Sequence, residues 1–380
     1  MLIKHLHLDV PKGVAMFNNH LFNPNPIDFT AQSGVFFGEG RNVARLELNT
    51  QPHIAKLTDQ SIGKYWIPTE FPYAEDGKDY TGMNKPLQDL YMKNLKFQTV
   101  LDSVASRTVS EVFFPITTDP NLASWWVQHA FFEDNIHSKT YSEILKALPV
   151  DTLSIFDDIM VNPAIIERAK DILQYFEQAV QWNAKRLLNT SDYSLHAHKR
   201  SVILSLYAMH ILEAILFKSS FLTSFSFKEN GLMSATADAI SRISLDETGH
   251  YALVTHLLTT HKSNPEWAHI FAEVESEAIS MYRTAAEADN AWIEYLFEDE
   301  PQLLGISEAT LKQYVQYNTN KVMATVSLEL IYEDTFNPCT WANKYDKLSS
   351  FQTAQKEKVS GNYSIGALAA GMTAEDWEIL

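Results

Sequence analysis

Residues 201–217 read SVILSLYAMHILEAILF. The run is almost wholly apolar, yet it carries His210 and Glu213. It falls short of the roughly 20 apolar residues that cross a bilayer, so it is expected to be a buried helix of a soluble protein. A carboxylate inside such a helix is costly unless it is paired or bound to metal. Glu213 is therefore the residue around which the rest of the chain has to be read.

Outward from this run the pattern stays helical. From Asn84 onward glycine is scarce, and apolar residues recur at spacings of three and four. Asp119-Pro120, Asn162-Pro163 and Asn264-Pro265 each set a capping side chain ahead of a proline at the first helical position. Helices are expected over 86–109, 120–148, 163–189, 195–226, 230–260, 265–297 and 307–332. Long helices with short connections predict an all-α antiparallel bundle. The first 80 residues differ: NNHLFNPNPIDF, FFGEGRN and WIPTEFPYAEDGKDYTG mix aromatic residues with turn formers. They read as an irregular arm packed on the core. From Asp346 the chain is polar and ends in the acidic MTAEDWEIL, as a flexible tail would. The division is thus an arm over 1–80, a helical domain over 81–345 and a tail over 346–380.

Composition narrows the function. Thirty basic against 47 acidic residues leave a net charge of −17. That field repels phosphate backbones and anionic lipid, so neither nucleic acid nor a membrane is an expected partner. The start, MLIKHLHLDVPKG, has no continuous apolar segment and no small-residue cleavage site, and a cytoplasmic location is expected. The lone cysteine, Cys339, excludes an intramolecular disulfide. At 380 residues the length alone would suggest about two to three domains, which the helical pattern reduces to one.

Two helices carry an acid three residues before a histidine, Asp134 before His137 and Glu247 before His250. Residues three apart share a helix face, so each pair can grip one metal ion. Asp102 and Glu213 each place a lone carboxylate on the apolar face of another helix. One carboxylate from each of two helices, plus an acid–histidine pair from each of two more, is the ligand set of a di-iron or di-manganese bundle. Four carboxylates and two divalent cations also cancel in charge. The absence of thiolate favours iron or manganese over zinc. Other histidines read blandly: His196 and His198 as a polar loop before a helix, His210 as a core histidine or a partner of a ligand, His5 and His7 as surface residues. Tyr141, four residues after His137, shares its face one turn from the metals, where a phenol is either core packing or an oxidisable group.

NLKFQTVLDS, IHSKTYSEIL, FDDIMVNPAIIERA, HKRSVILSLYAMHILEAILF and LDETGH, in this order, resemble the small, radical-generating subunit of class I ribonucleotide reductase. The stretch HKRSVILSLYAMHILEAI is particularly similar to the T-even bacteriophage form, and the likeness runs from about Phe36 to the C-terminus. It implies a ferritin-like bundle in which Asp102, Asp134, His137, Glu213, Glu247 and His250 hold two metal ions. Di-iron comes first, with manganese–iron and di-manganese as the other options, and oxygen is needed for activation. Tyr141 would be oxidised to a stable radical, shielded by Phe217, Phe221 and Ile243. Trp66 would lie on the electron route, with Asp246 linking it to His137. Tyr363 would relay the oxidising equivalent to the large subunit, on which the last residues, Trp377, Glu378, Ile379 and Leu380, would dock. A homodimer is expected from the family.

The chain departs from the family in three places. Glutamate is usual where Asp134 stands, so either Asp134 ligates with shorter reach or Glu133 substitutes from four residues back; the three-residue spacing favours Asp134. Leu245 replaces a common arginine, and Ala130 a common tryptophan near the metals. The competing functions are a ferritin-like oxidase or monooxygenase component acting directly on an organic substrate, an iron store, and a structural bundle. The joint presence of Tyr141, Trp66, Asp246 and Tyr363 favours the radical subunit. Ribonucleotide reduction in this family needs several cysteines, so a chain with Cys339 alone fits an oxidant-making half that serves a cysteine-bearing partner.

Overall fold

The computed structural model describes residues 34–38, 43–159 and 161–345, the side chains of 164, 167 and 169 excepted. His5, His7, Tyr363, Thr373, Trp377, Glu378, Ile379 and Leu380 lie outside the described residues. The described chain is α-helical, with no strand and one isolated antiparallel bridge between Phe36 and Thr117.

The helices are α1 (Pro52–Ile62), α2 (Ala74–Gly82), α3 (Lys85–Thr108), α4 (Pro120–Phe131), α5 (Ser138–Ala147), α6 (Thr152–Ile159), α7 (Pro163–Leu188), α8 (Leu195–Ile211), α9 (Phe217–Glu229), α10 (Ser234–Lys262), α11 (Pro265–Phe297) and α12 (Glu308–Thr325). The Asp-Pro and Asn-Pro starts at α4 and α11 work as the sequence predicts. Asp119 accepts the Asn121 and Leu122 N–H groups at 2.9 and 3.0 Å, and Asn264 accepts that of Glu266 at 2.8 Å. The side-chain amide of Asn162 donates to the Tyr295 hydroxyl at 3.1 Å.

Three π-helical segments interrupt this regularity: Val109–Phe113 after α3, Phe132–His137 between α4 and α5, and Leu212–Leu216 between α8 and α9. The last two contain Glu133, His137 and Glu213. Single π turns inside longer helices are uncommon and concentrate at functional sites.

The apolar run over residues 201–217 is the central rod of the bundle. Every residue from Ser201 to Phe217 is buried. It packs between α7, α10 and α11, while its continuation α9 packs on α3 and α10. Leu195–Glu229 is long and apolar enough to cross a membrane, but 94% of its most apolar window is buried inside the protein, which makes it a core helix.

The stretch before α3 is more ordered than its punctuation suggests. Helix α1 opens on Pro52, buries Ile54 and Thr58, and packs against both α4 and α10. Helix α2 is short and polar because it serves the start of α10. The buried Asp76 carboxylate accepts the Ala235 N–H at 3.1 Å, the Thr236 N–H at 2.6 Å and the Thr236 hydroxyl at 2.7 Å. Asp79 accepts the Met233 N–H at 2.9 Å. Met233, just ahead of α10, has φ +51° and makes no side-chain cap of its own, so the N-terminus of α10 is satisfied from α2. Gly77 is required here, because a Cβ would lie 2.4 Å from the Ala147 carbonyl oxygen at the end of α5.

At the other end α12 stops at Thr325, short of the expected 332. Ser327 takes φ +54°, and the following segment folds back so that Asn320 accepts the Ile331 and Tyr332 N–H groups and donates to the Tyr332 carbonyl. Two sequence readings of histidines also change. His196 and His198 sit in the first turn of α8. His198 is a fully buried core residue, bonded to Asn183 at 3.0 Å and Tyr193 at 3.3 Å, and not part of a polar loop.

Candidate metal centre

Four helical segments bring acids and histidines into the core. Asp102 comes from α3; His129, Glu133 and His137 come from α4 and the π turn after it; Glu213 comes from the π turn after α8; Glu247 and His250 come from α10. All seven side chains are buried. Their ligand atoms fall into two compact groups, Asp102–Glu133–His137–Glu247 and His129–Glu133–Glu213–His250, each spanning no more than 4.8 Å. Glu133 belongs to both. Glu247 also links them: one of its oxygens lies 3.2 Å from His137 Nδ1 and the other 2.7 Å from His250 Nδ1.

The donor set fits two metal ions. Both oxygens of Asp102 and of Glu213, one oxygen each of Glu133 and Glu247, both ring nitrogens of His129 and Nε2 of His250 have no hydrogen-bond partner. Buried polar atoms are otherwise nearly always satisfied, and a buried charge left uncompensated is strongly destabilising. Carboxylates and imidazoles without thiolate suit iron or manganese. Cys339 is buried away from this chemistry, with its thiol pushed up to about 11 by burial.

The protonation of the metal-free cluster shows the same crowding. Burial raises Asp102 well above the usual carboxylate range, and the Glu133 charge raises it further. Burial, then Glu133 and Glu213, push Glu247 up to about 7. Burial would lower His137 and His250, but the surrounding carboxylates hold both well above the ordinary value. Burial, and next the neighbouring His250, lower His129 to about 4.

Of the six expected ligands, Asp134 alone stays outside the two groups. It is exposed, whereas Glu133 is fully buried and within both groups. The reason lies in the π turn over Phe132–His137. Its i→i+5 pattern winds more residues into each turn than an α-helix does. The residue four before His137 therefore comes to lie beneath it, and the residue three before rotates out to solvent.

Beyond the acids, Asp246 Oδ2 accepts the Trp66 indole N–H at 2.8 Å and lies 3.2 Å from His137 Nε2. Trp66 is buried, and its ring lies 6.3 Å from that of His137, 22° from parallel. Tyr141 is fully buried; burial, then the Asp102 carboxylate, raise its phenol far above the ordinary value. Phe217, Phe221 and Ile243 are buried too, and the two phenylalanine rings stack at 5.3 Å. Leu245 is buried and Ala130 half-buried. The Trp125 ring lies 6.1 Å from that of His250 and 6.4 Å from that of His129, and the Trp126 ring 6.1 Å from that of His129.

His129 is the residue that sequence reasoning missed. Its signal was present, since His129, Glu133 and His137 recur at intervals of four.

Comparisons with known proteins point to one family. The family model "Ribonucleotide reductase, small chain" matches residues 46–338. The chain is 31% identical over 357 residues to the ribonucleoside-diphosphate reductase subunit beta of Haemophilus influenzae, covering 90% of this chain and 94% of that one. It is 27% identical over 372 residues to the subunit beta of Enterobacteria phage T4, with 92% and 95% covered. The phage form is thus among the relatives that the chain matches. A ribonucleotide reductase R2 subunit from Clostridium botulinum shares the fold, with a TM-score of 0.74 at 24% identity over 86% of this chain and 98% of that one. The chain belongs to the ribonucleotide reductase small-chain family.

Proposed function

We propose that this small chain makes and keeps a radical on Tyr141 for ribonucleoside-diphosphate reduction by a large chain. The observation that carries this reading is the setting of Tyr141. Its phenol is fully buried, one turn beyond His137, with Asp102 of the metal-ligand cluster as its strongest charged neighbour. Asp102, Glu133, His137, Glu213, Glu247 and His250 would hold two metal ions, with iron at both positions. When bound, the metal pair supplies the redox chemistry by which oxygen is reduced and a nearby group is oxidised.

The chain's own residues do the rest. Tyr141 is the group that gives up an electron and its phenolic proton. The carboxylate of Asp102 is the base placed to influence that proton. Phe217, Phe221 and Ile243 form the apolar wall that keeps water and reductants from the oxidised ring. Trp66 is held by Asp246, which also fixes the ring of His137 through Nε2, a usual way of orienting a metal-ligating histidine. This hydrogen-bonded file offers an electron path that a bundle acting directly on an organic substrate would not need.

Tyr363, in the C-terminal tail, would relay the oxidising equivalent, and the last residues would dock on the large chain. We further propose a homodimer working in the cytoplasm. Cys339, buried and protonated, leaves the thiol chemistry of the reaction to the large chain.

The test is electron paramagnetic resonance after loading with iron, manganese or both, followed by oxygen. A tyrosyl signal is expected in the wild-type chain and not in Tyr141→Phe. Metal-loaded protein that gives no tyrosyl signal with any combination would overturn the radical assignment.

A further inference from the structure

We infer that His129 is a seventh protein ligand of the centre, holding the second metal position through Nε2. This rests on the reading of the centre as dinuclear and adds to its ligands one that the acid–histidine pattern does not contain.

Three observations converge on His129. The first is its lack of partners. His198, His210 and His261 are buried away from the centre, and each bonds to a protein group: His198 to Asn183 and Tyr193, His210 to Tyr282 and Thr255, His261 to the Leu257 carbonyl. His129 is as deeply buried, yet neither of its ring nitrogens has a hydrogen-bond partner. A closed site does not tolerate such a ring without some other use for it.

The second is where Nε2 stands. It lies 3.4 Å from Glu133 Oε1 and 3.3 Å from Glu213 Oε1, without forming a hydrogen bond to either. Adjacent ligands on one cation, each bound at about 2.1 Å, are separated by about 3.0 Å. The spacing is close to that of ligand atoms around a shared ion.

The third is how the ring is held. It stacks on His250 at 3.6 Å between centroids and 15° between planes, with the Trp125 and Trp126 rings on other sides. The imidazole is therefore fixed before any metal arrives.

The consequence is an asymmetric centre. The first position is offered one imidazole and the carboxylates of Asp102, Glu133 and Glu247. The second is offered two imidazoles with Glu133 and Glu213. Nitrogen donors favour the later metals of the first row, so the second position should prefer iron to manganese more strongly than the first.

Anaerobic titration with manganese(II), following the signal of free aqueous ion, separates the possibilities. The wild-type chain should bind two ions. His129→Ala should bind one of them about 10–100-fold more weakly and the other normally, with added imidazole restoring part of the loss. Glu213→Ala, changed in the second group only, should weaken the same ion. Fewer than two ions on the wild-type chain would refute the dinuclear reading itself. Two ions bound with unchanged affinity by His129→Ala would refute the ligand assignment alone. Should His129→Ala not fold, a crystal structure of the manganese-loaded wild-type chain decides. A metal about 2.3 Å from His129 Nε2 supports the assignment, and one beyond about 3 Å overturns it.

Discussion

The carboxylate of Glu133 stands 3.3 Å from Nδ1 of His137, four residues further along the chain, while Asp134, three residues before it, faces solvent. One π turn thus decides which of two adjacent acids joins the buried cluster. The neighbouring α-helical pair, Glu247 and His250, keeps the three-residue spacing, with its atoms 2.7 Å apart. The two halves of the centre reach the same chemistry through different helical registers.

A pair of substitutions separates the two acids. Glu133→Gln should weaken both metal positions, because Glu133 belongs to both groups. Asp134→Asn is a surface change and should leave metal content intact and stability within about 0.5 kcal/mol. Metal analysis and a thermal melt on the two proteins suffice. A loss of metal from the Asp134 variant alone would mean that the helix is α-helical here in solution.

Asp246 is the single acceptor shared by Trp66 and His137. Asp246→Asn removes the charge that orients the His137 ring and should weaken the first metal position about 10–100-fold. Trp66→Phe keeps the apolar bulk but loses the indole donor. It should bind metals normally and form the tyrosyl signal, yet fail in turnover with the large chain. Normal turnover by Trp66→Phe would remove Trp66 from the electron path.

How far the sequence could be read follows from these cases. The bundle was legible because its helices are long, strongly periodic and, at α4 and α11, capped by an acid or amide before proline. The meeting of Asp102, Glu213, Glu247 and His250 in one buried cluster was legible because each breaks an apolar face or keeps an α-helical interval. Glu133 was named only as the alternative to Asp134 because spacing rules assume 3.6 residues per turn, and nothing in FFEDNIH announces a π turn. His129 was hidden because no acid stands three or four residues before it, where Trp126 and Trp125 lie. Helix α2 was hidden because its work, capping α10 through Asp76, is long-range and leaves a polar, glycine-containing segment that looks like a loop.

The tail proposal is testable although Tyr363 and the final residues lie outside the described residues. Tyr363→Phe should retain the tyrosyl signal and lose turnover with the large chain. Removing the chain from Thr373 onward should weaken association with that partner, measured by titration or sedimentation. Retained turnover in the first variant would cancel the relay role, and unchanged binding by the truncated chain would cancel docking.

Acid should destabilise the protein through its buried neutral histidines, and His210 provides the cleanest probe. Burial lowers it to about 3, and its ring nitrogens are engaged by Tyr282 and Thr255. The ordinary value is near 6.5, so the folded chain binds fewer protons than the unfolded chain between about pH 6.5 and 3. The stabilising contribution of His210 is therefore complete above pH 6.5 and is lost as the pH falls through this window. Its slope is up to about 1.4 kcal/mol per pH unit. Glu247 in the metal-free chain works in the opposite sense. Its raised value favours the folded state at low pH, and that contribution is lost as pH rises from about 4.5 through about 7. Both effects are present in the wild-type chain, but only the first is removed by His210→Gln. The substitution should cost about 1–3 kcal/mol at pH 7.5, through imperfect hydrogen bonding in the core, and that deficit should shrink steadily towards pH 4. Denaturant melts of the metal-free proteins across this range measure the difference directly. Parallel stability curves would show that His210 takes up its proton without unfolding the core around it.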